Sequence, residues 1–247
     1  MRRPDPSAIE LVTIDLDGTL IDSAADLHAA VEAMQAALGG PSRSLESVRD
    51  WVGNGVERLV HRAITGSFDG ESPPATLAEG LRRFREAYAE CNGTRSTLYP
   101  GVVRTLETLG GRGRHLVCVT NKEARFTEPL LGALGLERHF ALTLSGDSLP
   151  EKKPHPAPLL HAAEALGIPP ARALHVGDSV SDIRAARAAG FVAVGVSYGY
   201  NHGMPLGELG GSDAPHRVID SFAELADIVE APPAADGVGR RGDDGGR

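Results

Sequence analysis

Apolar positions follow two rhythms along the chain. Residues 9–14 (I-E-L-V-T-I) form a short, partly β-branched run, the pattern of a strand buried in a sheet. From Ser23 the spacing turns helical: Leu27, Val31, Met34 and Leu38 recur until Gly39-Gly40 ends the run. Ser23 with Asp26 three residues on predicts a capping box at its start. A second helix is expected after Ser44, with Leu45, Val48 and Val52 on its apolar face. A third follows the Gly53-Asn54-Gly55 break, carrying Val56, Leu59, Val60, Ala63 and Ile64. Leu77, Leu81, Phe84, Tyr88 and Cys91 mark a fourth. Four helices with no strand between them read as an all-α insert of roughly seventy residues placed after a first strand.

Beyond Leu98 strands and helices alternate. Val102, Val103, Leu106 and Leu109 predict a helix opened by Tyr99-Pro100-Gly101, followed by a strand over 115–120 and a helix through 130–134. A short strand near 140–144 and a helix after Pro156 come next. Then follow a strand at 173–177, a helix at about 181–189, a strand at 191–196, and a last strand at 217–219 leading into a helix at 222–229. This alternation predicts a parallel sheet covered on both faces, an α/β fold. The expected organisation is a core of residues 1–21 and 96–230 and a helical domain of residues 22–95. Residues 231–247, rich in Pro, Gly, Ala and charge without apolar periodicity, are expected to form a disordered tail.

Composition narrows the partners. Among 247 residues, 41% are hydrophobic and 23% charged, which is ordinary for a soluble globular protein. A net charge of -8 argues against nucleic acid or an anionic membrane as the main partner. No apolar run is long enough to span a bilayer, and M-R-R-P-D-P-S lacks the apolar core of a signal peptide. Cys91 and Cys118 have no C-x-x-C spacing, and Cys118 sits in an apolar run as a packed thiol. These features fit a cytoplasmic enzyme, monomer or homodimer, acting on a small metabolite.

Candidate chemistry gathers at strand ends. The first strand runs into Asp15-Leu16-Asp17-Gly18-Thr19, where two close carboxylates repel unless a cation lies between them. Taken alone, the same residues equally describe a solvated turn. Thr120-Asn121-Lys122 offers a hydroxyl and a backbone N–H to phosphate oxygens, or merely a helix cap. Lys152-Lys153-Pro154-His155-Pro156 precedes a helix, and a lysine pair by itself is ordinary solvated surface. Gly177-Asp178-Ser179-Val180-Ser181-Asp182 follows another strand, where Asp178 or Ser179 can cap and Asp182 can complement the helix dipole.

In this order the four stretches resemble the signature motifs of the haloacid dehalogenase superfamily, over about residues 9–229. The resemblance implies a Rossmann-like core with a helical cap inserted after the first motif. It implies Asp15 as nucleophile and Asp17 as general acid/base. Thr120, with the Gly18 and Asn121 amides, would bind the phosphoryl group, and Lys153 would neutralise its charge. Mg2+ would be held by the Asp15 carboxylate, the Asp17 backbone carbonyl, Asp178 and waters. Asp182 would support the metal's water shell or Lys153. Dehalogenase activity is disfavoured, because those members lack an acid at the position of Asp17.

Three further stretches resemble the bacterial members that act on 2-phosphoglycolate. They are Trp51-Val52-Gly53-Asn54-Gly55 with Glu57-Arg58-Leu59-Val60, Lys153-Pro154-His155-Pro156-Ala157-Pro158-Leu159-Leu160, and Ser197-Tyr198-Gly199-Tyr200-Asn201-His202-Gly203. The Gly53-Asn54-Gly55 turn, with free N–H groups at a positive helix terminus, is the candidate receiver of a substrate carboxylate; an ordinary helix–helix turn is the alternative. His28, His61 and His202 read as surface or packing residues. Arg58 and Arg62 line a solvated face unless one reaches the substrate. Other phosphatases with this core act on sugar phosphates, nucleotides or pyrophosphate, and a non-catalytic phosphate-binding module is a further alternative.

Overall fold

The computed structural model describes residues 9–229; the expected tail at 231–247 lies outside the described residues. In chain order, β1 (Leu11–Ile14) and β2 (Ile21–Asp22) lead into four helices: α1 (Ala24–Leu38), α2 (Leu45–Trp51), α3 (Val56–Thr65) and α4 (Pro74–Cys91). The chain returns through β3 (Thr97–Leu98), then α5 (Val102–Gly111), β4 (His115–Val119), α6 (Ala124–Ala133), β5 (Leu142–Leu144) and α7 (Ala157–Ala165). It continues with β6 (Ala173–Gly177), α8 (Val180–Ala189), β7 (Val192–Val196), β8 (Arg217–Ile219) and α9 (Leu225–Ile228).

Six strands form one parallel sheet in the order β5-β4-β1-β6-β7-β8. Strand alternation divides the core between the two faces. Val12, Ile14, Cys118, Val176 and Val194 pack with Leu106, Leu109, Leu130 and Leu225 of the helices on one side. Leu11, Val117, Val119 and Ala193 pack with Leu159, Ile183 and Ala186 of α7 and α8 on the other. β1 lies between β4 and β6, with Ile14 opposite both Cys118 and Val176. The chain order reverses at this point, which opens a crevice at the carboxyl ends of the strands. Residues that follow β1, β4 and β6 therefore meet there.

The four helices build their own core around Val31, Met34, Leu59, Phe84 and Tyr88, and this core takes in Phe126 of α6 and Tyr200. Gly80 lets α3 and α4 approach closely, since a Cβ there would lie 2.9 Å from Ile64 Cδ1. No helix among the described residues is long and apolar enough to cross a membrane.

Two local expectations are corrected. Ser23 and Asp26 make no capping box: Ser23 donates its hydroxyl to Asp17, and the buried Asp26 carboxylate turns to the chain at 93–96. Leu45 lies 46% exposed, because α2 buries only Val48 and Trp51. Two strands escape a periodicity reading, since β2 and β3 have two residues each; they pair antiparallel, Ile21 opposite Leu98 and Asp22 opposite Thr97. This ribbon joins the helical unit to the sheet.

Candidate active site

Asp15 follows β1 directly and is buried, with its Oδ1 accepting from Lys153 Nζ at 2.6 Å. The same ammonium donates to Val119 O at 2.6 Å and to Asp182 Oδ1 at 2.7 Å, so all three of its protons are engaged. Burial works against the charge on Lys153, but Asp15 and Asp182 outweigh it and raise its pKa. Lys153 is thus a fixed cation beside the proposed nucleophile.

Asp182 stands behind this cation. Its Oδ1 also accepts from His175 Nε2 (3.0 Å), and its Oδ2 accepts from Ser179 N (3.1 Å) and Ser179 Oγ (2.6 Å). Burial opposes its charge, yet Lys153 and His175 hold its carboxyl below the usual range. Burial lowers the pKa of His175, which favours the neutral ring. An ionised carboxylate can only accept, so His175 carries its proton on Nε2 and takes the Thr13 hydroxyl on Nδ1 at 2.9 Å.

Carboxylate oxygens of Asp15, Asp178 and Asp182 all lie within 4.8 Å of one another. Burial, reinforced by Asp182 and Asp17 and opposed by Lys153, pushes the Asp15 carboxyl up to about 7. Burial and the charges of Asp15 and Asp182 push Asp178 well above the carboxylate range. A shared cation would relieve both. Both oxygens of Asp182 are already taken. Asp15 and Asp178 each keep one oxygen without a hydrogen bond among the described residues. An all-oxygen pair of this kind fits a hard divalent cation such as Mg2+.

Asp178 is held by its surroundings. Its Oδ2 accepts from Tyr200 N at 2.7 Å. Gly18, with φ +84°, and Gly199 both press against it, and a Cβ at either would overlap its carboxylate or its Cβ. The loop after β7 therefore acts as a mould for Asp178. It also reaches the ribbon, because Tyr200 Oη donates to Asp22 Oδ1 at 2.8 Å and accepts from Ser23 N at 2.8 Å.

The Asp17 side chain turns away from Asp15 and Asp178. Lys122 Nζ grips both of its oxygens at 2.9 Å, and Ser23 Oγ donates to Oδ1 at 2.5 Å. Only its backbone is left to face a metal. The sequence assigns Lys122 no role, and its place after Thr120-Asn121 is its only signal. It is buried, and the Tyr88 ring of α4 lies 4.9 Å from its Nζ.

Thr120 is buried after β4 and accepts from Lys122 N at 3.2 Å. Asn121 Nδ2 donates to Gly53 O and Lys153 O, both at 2.9 Å, tying the α2–α3 turn to the sheet. Asp15, Asp17, Thr120, Asn121, Gly53 and Gly55 all line one cavity. Asn54 does not: its Nδ2 donates to Ser181 Oγ at 3.1 Å, on the far side of the turn. Leu27, Leu59, Phe84, Tyr88 and Phe126 are among the apolar and aromatic residues of its wall, which leaves about 50 Å3 open to water-sized occupants. Arg58 and Arg62 are spent on the segment after α3: Arg58 pairs with Glu71, and Arg62 donates to Trp51 O and lies 3.7 Å from the Phe68 ring centroid. His61 packs on Ser72, and His202 meets Asp50 O at 2.8 Å.

A sheet with acids at the ends of its middle strands, one lysine between them and a helical lid defines a class. The chain matches the haloacid dehalogenase-like hydrolase family over residues 9–190 and belongs to that family. It is 48% identical over 220 residues to the phosphoglycolate phosphatase of Nitrosococcus oceani, covering 89% of this chain and 96% of that one. It is 47% identical to the phosphoglycolate phosphatase of Thiobacillus denitrificans, covering 91% and 97%. Its fold is similar to the crystal structure of a predicted phosphoglycolate phosphatase from Haemophilus somnus 129PT, with a TM-score of 0.83, 36% identity, and coverage of 90% and 99%.

Proposed function

We propose that this chain is a Mg2+-dependent phosphatase that hydrolyses 2-phosphoglycolate to glycolate and phosphate through a phosphorylated Asp15. The observation that carries the reading is the buried Asp15, which lines a small cavity beneath the helices and stands beside Lys153, with Asp178 within cation-sharing distance. The names of the relatives supply the substrate. The complete set of Asp15, Asp17, Lys153 and Asp178 argues against a module that only binds phosphate.

An Asp15 oxygen attacks phosphorus in line, and the bond to the leaving oxygen breaks as the acyl phosphate forms. Asp17 gives its proton to the departing glycolate oxygen, and Lys122 offsets the charge that Asp17 then carries. Asp17 next takes a proton from water, which attacks phosphorus and releases phosphate from Asp15. Thr120 and the Gly18 and Asn121 amides hold the phosphoryl oxygens, and Lys153 neutralises charge beside them. Mg2+, held by Asp15, Asp178 and the Asp17 carbonyl, would shield nucleophile and phosphate from each other. Residues 22–95 act as the cap that closes over the leaving group, with the Gly53–Gly55 turn as one wall.

The test is phosphate release from phosphoglycolate, glucose 6-phosphate, nucleoside monophosphates and pyrophosphate, with Mg2+ and with EDTA. The expected result is the highest kcat/KM for phosphoglycolate and no turnover in EDTA. A preference for any other substrate in the panel overturns the assignment of substrate, and metal-independent turnover overturns the chemistry.

A further inference from the structure

Two polar side-chain atoms of the cavity wall, Tyr88 Oη and Asn121 Oδ1, have no hydrogen-bond partner among the described residues, and only the first can donate. Tyr88 is 1% exposed on α4, and its hydroxyl has no hydrogen-bond partner among the described residues. A buried hydroxyl left unpaired costs about 1–3 kcal/mol. Its position is not slack in the packing. The Tyr88 ring stacks on Phe84 at 5.5 Å and meets Phe126 edge-on at 4.9 Å, so the phenol is held rigidly.

Beside it stands Lys122, the one cation in a cavity wall whose other charged members are Asp15, Asp17 and Glu123. Other cations of the helices are committed elsewhere: Arg49 to Asp22, Arg58 to Glu71 and Arg85 to Glu123. Lys122 spends two N–H groups on Asp17, and its third lies toward the Tyr88 hydroxyl. The cavity therefore presents two adjacent donors, a phenolic O–H with no acceptor of its own and the ammonium beside it, next to the residue that protonates the leaving oxygen.

We infer that Tyr88 Oη and Lys122 Nζ together receive the carboxylate of the leaving group. This rests on the reading of phosphoglycolate as substrate and names what recognises it. In glycolate the carboxylate carbon lies two bonds from the leaving oxygen, about 2.4 Å away. A proton delivered by Asp17 to that oxygen thus places the carboxylate within reach of the ammonium that grips Asp17. The two carboxylate oxygens match the two donors. An acceptor-only group is what the unpaired O–H and the neighbouring ammonium suit, and a neutral or hydroxylated leaving group would bring the ammonium no negative charge beyond that of Asp17. The first turn of α3, at Gly55 and Val56, lines the same cavity and adds a favourable dipole rather than the discriminating bonds.

The discriminating variant is Tyr88→Phe, which keeps the ring stack and deletes only the hydroxyl. Wild type and variant are compared on 2-phosphoglycolate and on ethyl phosphate, which is close in size but has no carboxylate. The expected loss in kcat/KM is on the order of tenfold for phosphoglycolate and under about twofold for ethyl phosphate. The melting temperature should stay unchanged or rise, because an unsatisfied hydroxyl has been removed; a purely structural tyrosine would lower it. Lys122→Met should depress both substrates through Asp17, with the larger loss on phosphoglycolate. Equal losses on the two substrates in Tyr88→Phe, or no loss on either, overturn the receptor while the wild-type preference for phosphoglycolate still stands. A wild type with no preference for phosphoglycolate over ethyl phosphate overturns both the substrate and the receptor.

Discussion

Asp26 offers a quantitative check on how the helical unit is fixed to the ribbon. Its carboxylate is fully buried in the first turn of α1. Oδ1 accepts from Thr94 Oγ1 at 3.1 Å and Arg95 N at 3.0 Å; Oδ2 accepts from Gly93 N at 3.0 Å, Ser96 N at 3.0 Å and Ser96 Oγ at 2.6 Å. One side chain therefore organises the whole segment that carries the chain back into β3. Asp26→Ala removes the acceptor for three backbone N–H groups, each worth about 1–3 kcal/mol when left without a partner. Some of that is recovered as water enters the space, so the expected loss is about 3–5 kcal/mol, a large part of a typical folding stability of about 5–15. Asp26→Asn keeps one acceptor oxygen. Oriented to serve Gly93 and Ser96, it leaves only the Arg95 N–H unpaired, and the expected loss is about 2 kcal/mol. Urea denaturation followed by circular dichroism, with the slope compared between variants, measures both. A loss below about 1 kcal/mol in the alanine variant would refute the idea that this carboxylate anchors the return segment.

Two further expectations concern the metal and its mould. Asp17→Asn should abolish turnover while leaving Mg2+ affinity nearly unchanged, whereas Asp178→Asn should weaken Mg2+ and regain part of its activity at high Mg2+. Mg2+ titrations of both variants by calorimetry check this, and matching affinities would mean that the two roles are misassigned. Gly199→Ala forces a methyl into Asp178 Cβ, so it should raise the Mg2+ concentration needed for half-maximal activity by about tenfold or more, a shift of about 1.4 kcal/mol. An unchanged Mg2+ requirement would show that the loop yields rather than shapes the site.

Much of the fold is visible in the chain because its signals are local. The apolar run before Asp15, the helical spacing of residues 24–91 and the later alternation each depend on neighbours a few positions apart, and each became the expected element. Sheet order does not follow from such signals: β4, β1 and β6 become neighbours only when crossovers close, so the meeting of Asp15, Thr120 and Asp178 could only be expected from the family resemblance. The failures have a shared cause. Ser23 and Asp26 satisfy the capping pattern, but the partners that win Asp26 lie 67–70 residues further on. Tyr88 reads correctly as part of an apolar helix face, and no local pattern distinguishes a core tyrosine from one whose hydroxyl borders a cavity. Asn54 shares a turn with Gly53 and Gly55, yet side-chain direction sends it to Ser181.

The two-residue ribbon also makes the helical unit separable. With Ile21 opposite Leu98 and Asp22 opposite Thr97, the chain leaves and re-enters the core on adjacent strands. To the sheet, everything between Asp22 and Thr97 is a hairpin loop that happens to be folded. Loop closure depends only weakly on length, and doubling the insert would add about 0.6 kcal/mol. A lineage can therefore exchange the whole insert, or lengthen it, without rewriting the strands that carry the acids. The contacts from Lys122 to Tyr88 and from Asn121 to Gly53 are then the terms of compatibility between the two parts. A transplanted lid that spans the ribbon but brings no aromatic hydroxyl over Lys122 would inherit the phosphoryl chemistry and lose the choice of leaving group.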